Sequence, residues 1–453
     1  MKGLRIAVLG AGRSGIAVSR AAKERGAEPT LYDSKDGPDL ESARTQLDQD
    51  NVEVVGGREQ PFTSAEADIL VTSPGVDSRS PILRESEKNG VEVIGEVEFA
   101  YRIAQGSIIA ITGTNGKSTT TAMTWHCLEE LGLNPVLCGN IYGTGYDEIP
   151  LTEAAAIYPG RPLVAEVSSF QLEWIKEFRP KCAAITNIAP DHLNRYDHFD
   201  DYACAKRNIF RNMGEGDVYV SHRGPRTEPP SDARFKTIYT KVESRALVLP
   251  AFEIATADLP FSESHNLQNA AMAATLAYEY AESGKVPDES TVAQMAAKIT
   301  AGLQSFRGLA HRMERVGERD GVVLVNNSMC TNPDALLASS RSVPTAQHLL
   351  VGGLTKDLDF GPFAEYLKGS PHRVYLYGAD ASKINARLGG GLSVFRTMGE
   401  AFAAATMAVK RGETIMLAPG CASMDQYKDF RARGDDFRTL AKEWLQHDKV
   451  PSH

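Results

Sequence analysis

Ile108-Ile109-Ala110-Ile111-Thr112-Gly113-Thr114-Asn115-Gly116-Lys117-Ser118-Thr119 runs from an apolar segment into a glycine-punctuated loop, and a helical pattern follows from Thr120 to Leu131. Four consecutive apolar residues fit a buried strand. Backbone N–H groups along Gly113, Thr114, Asn115, Gly116, Lys117, Ser118 and Thr119 form a cradle for phosphate. Lys117 can reach the β and γ phosphate oxygens of a bound nucleotide, and the Ser118 hydroxyl can ligate Mg²⁺. The loop closes from Gly113 because residue 111 is Ile, so it is shorter than the common G-x-x-x-x-G-K-[ST] spacing. Strand, loop and helix in this order predict a nucleotide-binding α/β domain.

Downstream, Leu163 to Ala165 and Ala183 to Ile185 read as further buried strands, followed by Glu166 and His192 respectively. Ligand groups gather at strand ends in parallel sheets, which makes both residues candidate metal ligands. The stretch 213–262, dense in Gly, Pro and charge, reads as irregular or antiparallel decoration, and an alanine-rich helix runs from near His265 towards Ser283. Upstream, strand signals at Arg5 to Leu9, Glu28 to Tyr32, Val52 to Val55, Ile69 to Val71 and Val91 to Ile94 alternate with helices such as Ala17 to Arg25. Gly10-Ala11-Gly12-Arg13-Ser14-Gly15 follows the first strand and Asp33 the second, a dinucleotide-type fingerprint that fits NAD and a UDP-sugar equally well. Beyond residue 305, runs at Val322 to Val325, His348 to Val351, Val374 to Tyr377 and Thr414 to Leu417 repeat the α/β pattern, with a loop at Gly389-Gly390-Gly391.

At 453 residues the chain calls for about three domains. The expected division is a Rossmann-like domain at 1–102, a central P-loop-type parallel sheet at 103–304 and a second Rossmann-like α/β domain at 305–453. A net charge of −9 argues against a nucleic-acid partner. The six cysteines, at 127, 138, 182, 204, 330 and 421, form no C-x-x-C pair, as expected of reduced thiols. With no signal-peptide pattern and no membrane-length apolar run, a soluble, monomeric, cytoplasmic protein is expected.

Several segments besides the phosphate loop resemble the signatures of the Mur ligase family. They are Glu166 to Leu172, Asn187 to Tyr196, Tyr202 to Phe210 with Lys206, Ser264 to Ala271, and Phe306 to Glu314 with His311 and Arg312. Gly352 to Phe360 and Cys421 to Phe430 resemble the C-terminal motifs of its glutamate-adding branch. The likeness spans nearly the whole chain and is weakest over 213–262. It implies an ATP-dependent ligase joining glutamate to UDP-N-acetylmuramoyl-L-alanine through an acyl phosphate, with two Mg²⁺ ions; D-glutamate comes ahead of L-glutamate or another amino acid of the kind this family adds. An NAD-dependent oxidoreductase would leave the Lys117 loop without a purpose, and a non-catalytic relative would not be expected to keep Lys117, Glu166, His192, Lys206 and Lys356.

By the same resemblance, Arg13, Ser14, Asp33, Ser34, Lys35 and the Ser73-Pro74-Gly75 turn hold the UDP part of the substrate. Ser118 and Glu166 hold one Mg²⁺, and His192 with Lys206 the other. Lys206 would act as a carbamate, although its pattern alone reads as a surface lysine on a helix. Asn140 contacts the incoming substrate, Asn266 and Asn269 lie near the adenine, and Arg312 near the phosphates. Lys356, Thr331, Ser423 and Phe430 hold glutamate, a lysine being suited to a carboxylate. The branch usually reads Asn-Asp-Ser-Lys-Ala-Thr-Asn where this chain has Asn326-Asn327-Ser328-Met329-Cys330-Thr331-Asn332. Asn327, at the position associated with the ATP ribose, can still hydrogen-bond hydroxyls, whereas Met329 deletes a cation.

Overall fold

Short apolar runs cannot satisfy their backbone groups alone, and here they pair side by side under helices that cover their faces. The computed structural model describes residues 1–189, 191–192, 195–282, 288–355 and 358–446. It divides into one unit of Met1–Tyr142 with Tyr146–Arg307 and another of Gly143–Gly145 with Gly308–His453.

The first unit holds two parallel sheets. Strands β1 (Arg5–Leu9), β2 (Glu28–Tyr32), β3 (Glu53–Val55), β4 (Ile69–Thr72) and β5 (Glu92–Gly95) lie in the order β3-β2-β1-β4-β5. The order reverses at β1, so the crevice outside the ends of β1 and β4 is where such a sheet takes a ligand. The Gly10–Gly15 loop and Ser73 stand there. The helix after β1 spans Arg13–Glu24 and begins a turn earlier than its apolar pattern predicts, because its first residues belong to the loop.

The second sheet comprises β6 (Ile108–Thr112), β7 (Val136–Gly139), β8 (Leu163–Glu166), β9 (Cys182–Ile185), β10 (Val218–Ser221) and β11 (Lys236–Tyr239), ordered β11-β10-β9-β6-β8-β7. This corrects the reading of 213–262. Residues Val218–Ser221 and Lys236–Tyr239 extend the parallel sheet, and only β12 (Lys241–Val242), β13 (Ala246–Val248) and β14 (Glu253–Ala255) are antiparallel decoration. The alanine-rich helix spans Ser264–Glu282, as its composition predicts.

In the second unit, β15 (Glu314–Arg319), β16 (Val322–Asn326), β17 (Gln347–Gly352), β18 (Arg373–Tyr377), β19 (Ser393–Phe395) and β20 (Thr414–Leu417) are ordered β15-β16-β20-β17-β18-β19. β15 runs antiparallel to β16, and the other pairs are parallel. Five cysteines are buried and Cys204 is exposed; all six are free. Burial pushes the Cys330 thiol up to about 11 and those of Cys182 and Cys421 to about 12. Among the described residues, no helix is long and apolar enough to cross a membrane.

Glu98, fully buried on the helix Glu96–Ile103 that leaves the first sheet, fastens that helix to the loop before β9. Its Oε2 accepts the N–H groups of Lys176, Glu177 and Phe178 at 2.8, 2.9 and 2.9 Å, and its Oε1 accepts Arg102 Nε–H at 2.9 Å. Removing the carboxylate leaves three amides without their acceptor, while Arg102 keeps its two hydrogen bonds to Glu92 at 3.0 and 2.7 Å. Glu98→Ala is expected to destabilise the unit by about 3 kcal/mol, read as a lower urea midpoint for its unfolding transition.

Candidate active site

The loop after β6 takes its shape from two positions where a side chain will not fit. Gly113 has φ +147°, and a Cβ there would lie 1.9 Å from Thr186 Oγ1. Gly116 has φ +84°, with Asn269 Oδ1 2.5 Å from where a Cβ would stand. Both φ values favour glycine. The loop is braced by the residues after β9. Thr114 N–H donates to Asn187 O at 2.9 Å, Asn115 N–H to Asn187 Oδ1 at 3.0 Å, and Thr186 Oγ1–H to Asn115 O at 2.5 Å. The helix Lys117–Glu130 starts at the loop's end, three residues before its predicted start. Ser118 and Thr119 in its first turn are buried, and the helix N-terminus favours an anion.

Around this loop stand the predicted charged residues. Lys117 Nζ donates to Thr114 O at 3.0 Å. Glu166, at the end of β8, is buried; its Oε1 accepts Asn140 Nδ2–H at 3.2 Å, and its Oε2 has no hydrogen-bond partner among the described residues. Lys206 overturns its surface reading: only 2% of it is exposed, and Nζ donates to Gly113 O at 2.7 Å. Burial, reinforced by Lys117, brings its pKa down to about 6. The Tyr202 ring lies 4.6 Å from Lys206 Nζ and 6.0 Å from the His192 ring. His192 (φ +53°) packs edge-on against Phe170 at 4.8 Å, and partial burial, with Lys206 and Lys117 nearby, lowers its pKa. Asn269 reaches the loop, accepting Thr120 Oγ1–H at 3.3 Å, whereas Asn266 Nδ2 donates to Glu263 at 3.2 Å. Thr186, Asn187 and Tyr202 had no predicted role. Asn187 and Tyr202 lie within motif segments and Thr186 directly before one, which was the available signal.

At the first sheet, Asp33 Oδ2 accepts Ala11 N–H at 2.9 Å and Oδ1 accepts Lys35 N–H at 3.1 Å, so this carboxylate orders its own loop. Arg13 pairs with Glu148 at 2.6 Å. Ser14 is half-buried, Ser34 and Lys35 are exposed, and Gly75 is exposed beside open space. In the second unit, Asn327 Oδ1 accepts Met313 N–H at 3.1 Å, an acceptor function that an aspartate would also serve. Met329 N–H donates to His311 O at 3.0 Å. Arg312 follows on that segment, and Thr331 is half-buried beyond it. Ser423 is buried; its neighbour Ala422 pairs with Leu354 at 2.9 and 3.0 Å, and Phe430 sits edge-on to His311 at 6.2 Å. Lys356 lies outside the described residues.

A glycine-shaped phosphate loop at a parallel strand end, flanked by a carboxylate with an unsatisfied oxygen, defines a nucleotide-binding α/β protein. Family models match in order along the chain: a "Mur ligase MurD-like, N-terminal domain" over 4–95, a "Mur ligase middle domain" over 111–277 and a "Mur ligase, glutamate ligase domain" over 311–421. A UDP-N-acetylmuramoylalanine–D-glutamate ligase of Alkaliphilus metalliredigens is 34% identical, with 97% of this chain and 98% of that one covered. The ligase of the same name from Koribacter versatilis is 32% identical, with 99% of each covered. Among solved structures, an Acinetobacter baumannii UDP-N-acetylmuramoylalanyl-D-glutamyl-2,6-diaminopimelate–D-alanyl-D-alanyl ligase shares the fold at TM-score 0.58 and 14% identity, over 98% of this chain and 93% of that one. The chain belongs to the Mur ligase family, and so to the ATP-dependent amide ligases.

Two outcomes follow from this geometry. Gly113→Ala displaces the Thr186 hydroxyl and strains the loop, at a cost of about 1–3 kcal/mol; ATP affinity measured calorimetrically with Mg²⁺ is expected to fall at least about tenfold. Unfolded, Lys206 keeps its proton until near 10.5, whereas the folded chain releases it near 6. The unfolded state therefore binds more protons between those values, and this lysine's contribution to stability rises with pH across that window. In CO₂-free buffer, Lys206→Met is expected to flatten that rise in urea titrations.

Proposed function

We propose that this enzyme joins D-glutamate to UDP-N-acetylmuramoyl-L-alanine with ATP, in the cytoplasm, as a step of peptidoglycan precursor synthesis. The observation that carries the reading is the braced Gly113–Ser118 loop with Lys117, beside the unsatisfied Glu166 oxygen. The names of these relatives support D-glutamate as the acceptor. We assign the UDP-sugar to the domain 1–102, ATP to 103–304 and the amino acid to 305–453.

Among the described residues, no three His, Cys, Asp or Glu side chains converge as a ready metal site. This fits Mg²⁺, which commonly takes one or two carboxylates and completes its shell with phosphate oxygens and water. Glu166 and Ser118 would hold one ion. His192 would hold a second with Lys206, whose amine, largely neutral near pH 7, can add CO₂ to become a carbamate. Bound Mg²⁺ supplies neutralising charge to the phosphates.

The alanine carboxylate oxygen attacks the γ-phosphorus, and the bond to the β–γ bridging oxygen breaks, releasing ADP. Oxide is too poor a leaving group for direct amide formation, and phosphate replaces it. Lys117 offsets charge on the β and γ oxygens, Asn269 and Asn266 serve the adenine side, and Arg312 and Asn327 the phosphate and ribose. Arg13, Ser14, Asp33, Ser34, Lys35 and Gly75 hold the UDP group, and Asn140 the reacting arm. The amine of glutamate, held by Lys356, Thr331, Ser423 and Phe430, attacks the acyl carbon. It loses a proton as phosphate departs with the C–O electron pair.

The direct test is phosphate release with ATP and UDP-N-acetylmuramoyl-L-alanine, comparing D-glutamate with L-glutamate. D-Glutamate is expected to support turnover, and ATP-independent behaviour or equal use of unrelated amino acids would refute the assignment. Lys117→Ala is expected to cut kcat by about 10²–10³-fold, the range for losing a preorganised charge contact. Lys206→Ala is expected to be inactive and partly restored by a short carboxylic acid in the same assay.

A further inference from the structure

Arg195 shares a loop with His192 but has no part in the chemistry above. Its side chain is 10% exposed and paired with Glu173, itself 8% exposed, at 2.8 Å. Nη1 donates to Pro74 O and Nη2 to Val76 O, both at 2.9 Å. Its Cζ lies 3.9 Å over the ring of Phe170, the ring against which His192 packs. The other Glu173 oxygen accepts Tyr196 O–H at 2.6 Å. One guanidinium thus fixes two carbonyls of the turn after β4 and, through Phe170 and Glu173, the walls of the His192 loop.

That turn is tied in the other direction to the first glycine loop, because Ser73 Oγ–H donates to Gly10 O at 3.2 Å. Gly75, between the two held carbonyls, faces open space. A continuous set of contacts therefore runs from Gly10 through Ser73 and the turn to Arg195, Phe170 and His192. A second link, Arg79 to Asp197 at 3.0 Å, is exposed and worth little. Lysine could not replace Arg195, because a single ammonium lacks the fork that meets two carbonyls and a carboxylate together.

We propose that Arg195 is a positioning residue that couples occupancy of the UDP-sugar turn to the placement of His192, so that the two nucleotide sites bind cooperatively. This rests on assigning the UDP-sugar to the first sheet and ATP to the second. By linkage, each ligand tightens the other by the same factor.

The test is calorimetry on the full chain, titrating UDP-N-acetylmuramoyl-L-alanine with and without magnesium and a non-hydrolysable ATP analogue. The unsubstituted enzyme is expected to bind the UDP-sugar about tenfold tighter with the analogue present, within the usual range of such coupling. In Arg195→Lys and Arg195→Gln, each ligand alone is expected to bind within about threefold of normal while the coupling falls below about twofold. kcat should drop with the KM for ATP nearly unchanged. Intact coupling in both variants, or none in the unsubstituted enzyme, overturns the proposal. So does an equal loss of both separate affinities with a lowered melting temperature, which marks a merely structural arginine. Failure of the unsubstituted enzyme to bind either ligand alone would instead overturn the functional assignment beneath it.

Discussion

The site depends on a steric constraint: two places in the loop after β6 where even a methyl group is too large. At Gly113 the space is filled by the Thr186 hydroxyl, and at Gly116 by the Asn269 amide. These neighbours arrive from different elements, the end of β9 and the helix Ser264–Glu282. The loop is thus moulded by the sheet on one side and by the alanine-rich helix on the other. Thr186, Asn187 and Thr114 lock it with hydrogen bonds, so its shape is set by the protein's own groups. Preorganisation of this kind spares binding energy that a mobile loop would consume in ordering.

Two lysines use the carbonyls of that loop in different ways. Lys117 starts a helix and bonds to Thr114 O, half in contact with solvent. Lys206 bonds to Gly113 O from a buried position, and the low-dielectric surroundings together with Lys117 disfavour its charge. The same residue type thereby meets the loop once at a half-exposed position and once where burial disfavours its charge. Glu166 completes the contrast: one oxygen accepts from Asn140, and the other has no donor among the described residues.

Much of this was legible in the residues. The run from Ile108 to Thr119 announced strand, loop and helix because apolar continuity, glycine spacing and Lys-Ser-Thr all agree. Glu166 and His192 stand out as candidates because parallel strands deliver chemistry at their ends. The strands Val218–Ser221 and Lys236–Tyr239 were obscured by the Gly, Pro and charged residues packed between them, which mimic a loop region. The burial of Lys206 could not be read from its helix. Its neighbours Arg207 and Cys204 are as polar or exposed as its expected surface position, and only the fold turns its side chain under Gly113 O. Arg195 was similarly hidden, since its partners Pro74 and Val76 lie about 120 residues away and engage through carbonyls that every residue possesses.

The uneven burial of the cysteines has a practical consequence. Five thiols are sealed in the interior, while Cys204 stands in solvent two positions before Lys206 on one short helix. A maleimide dye would therefore label the folded chain at a single address. The attached fluorophore would sit on the outer side of the segment whose inner side touches the phosphate loop, giving an optical gauge of events at the nucleotide without engineering any residue.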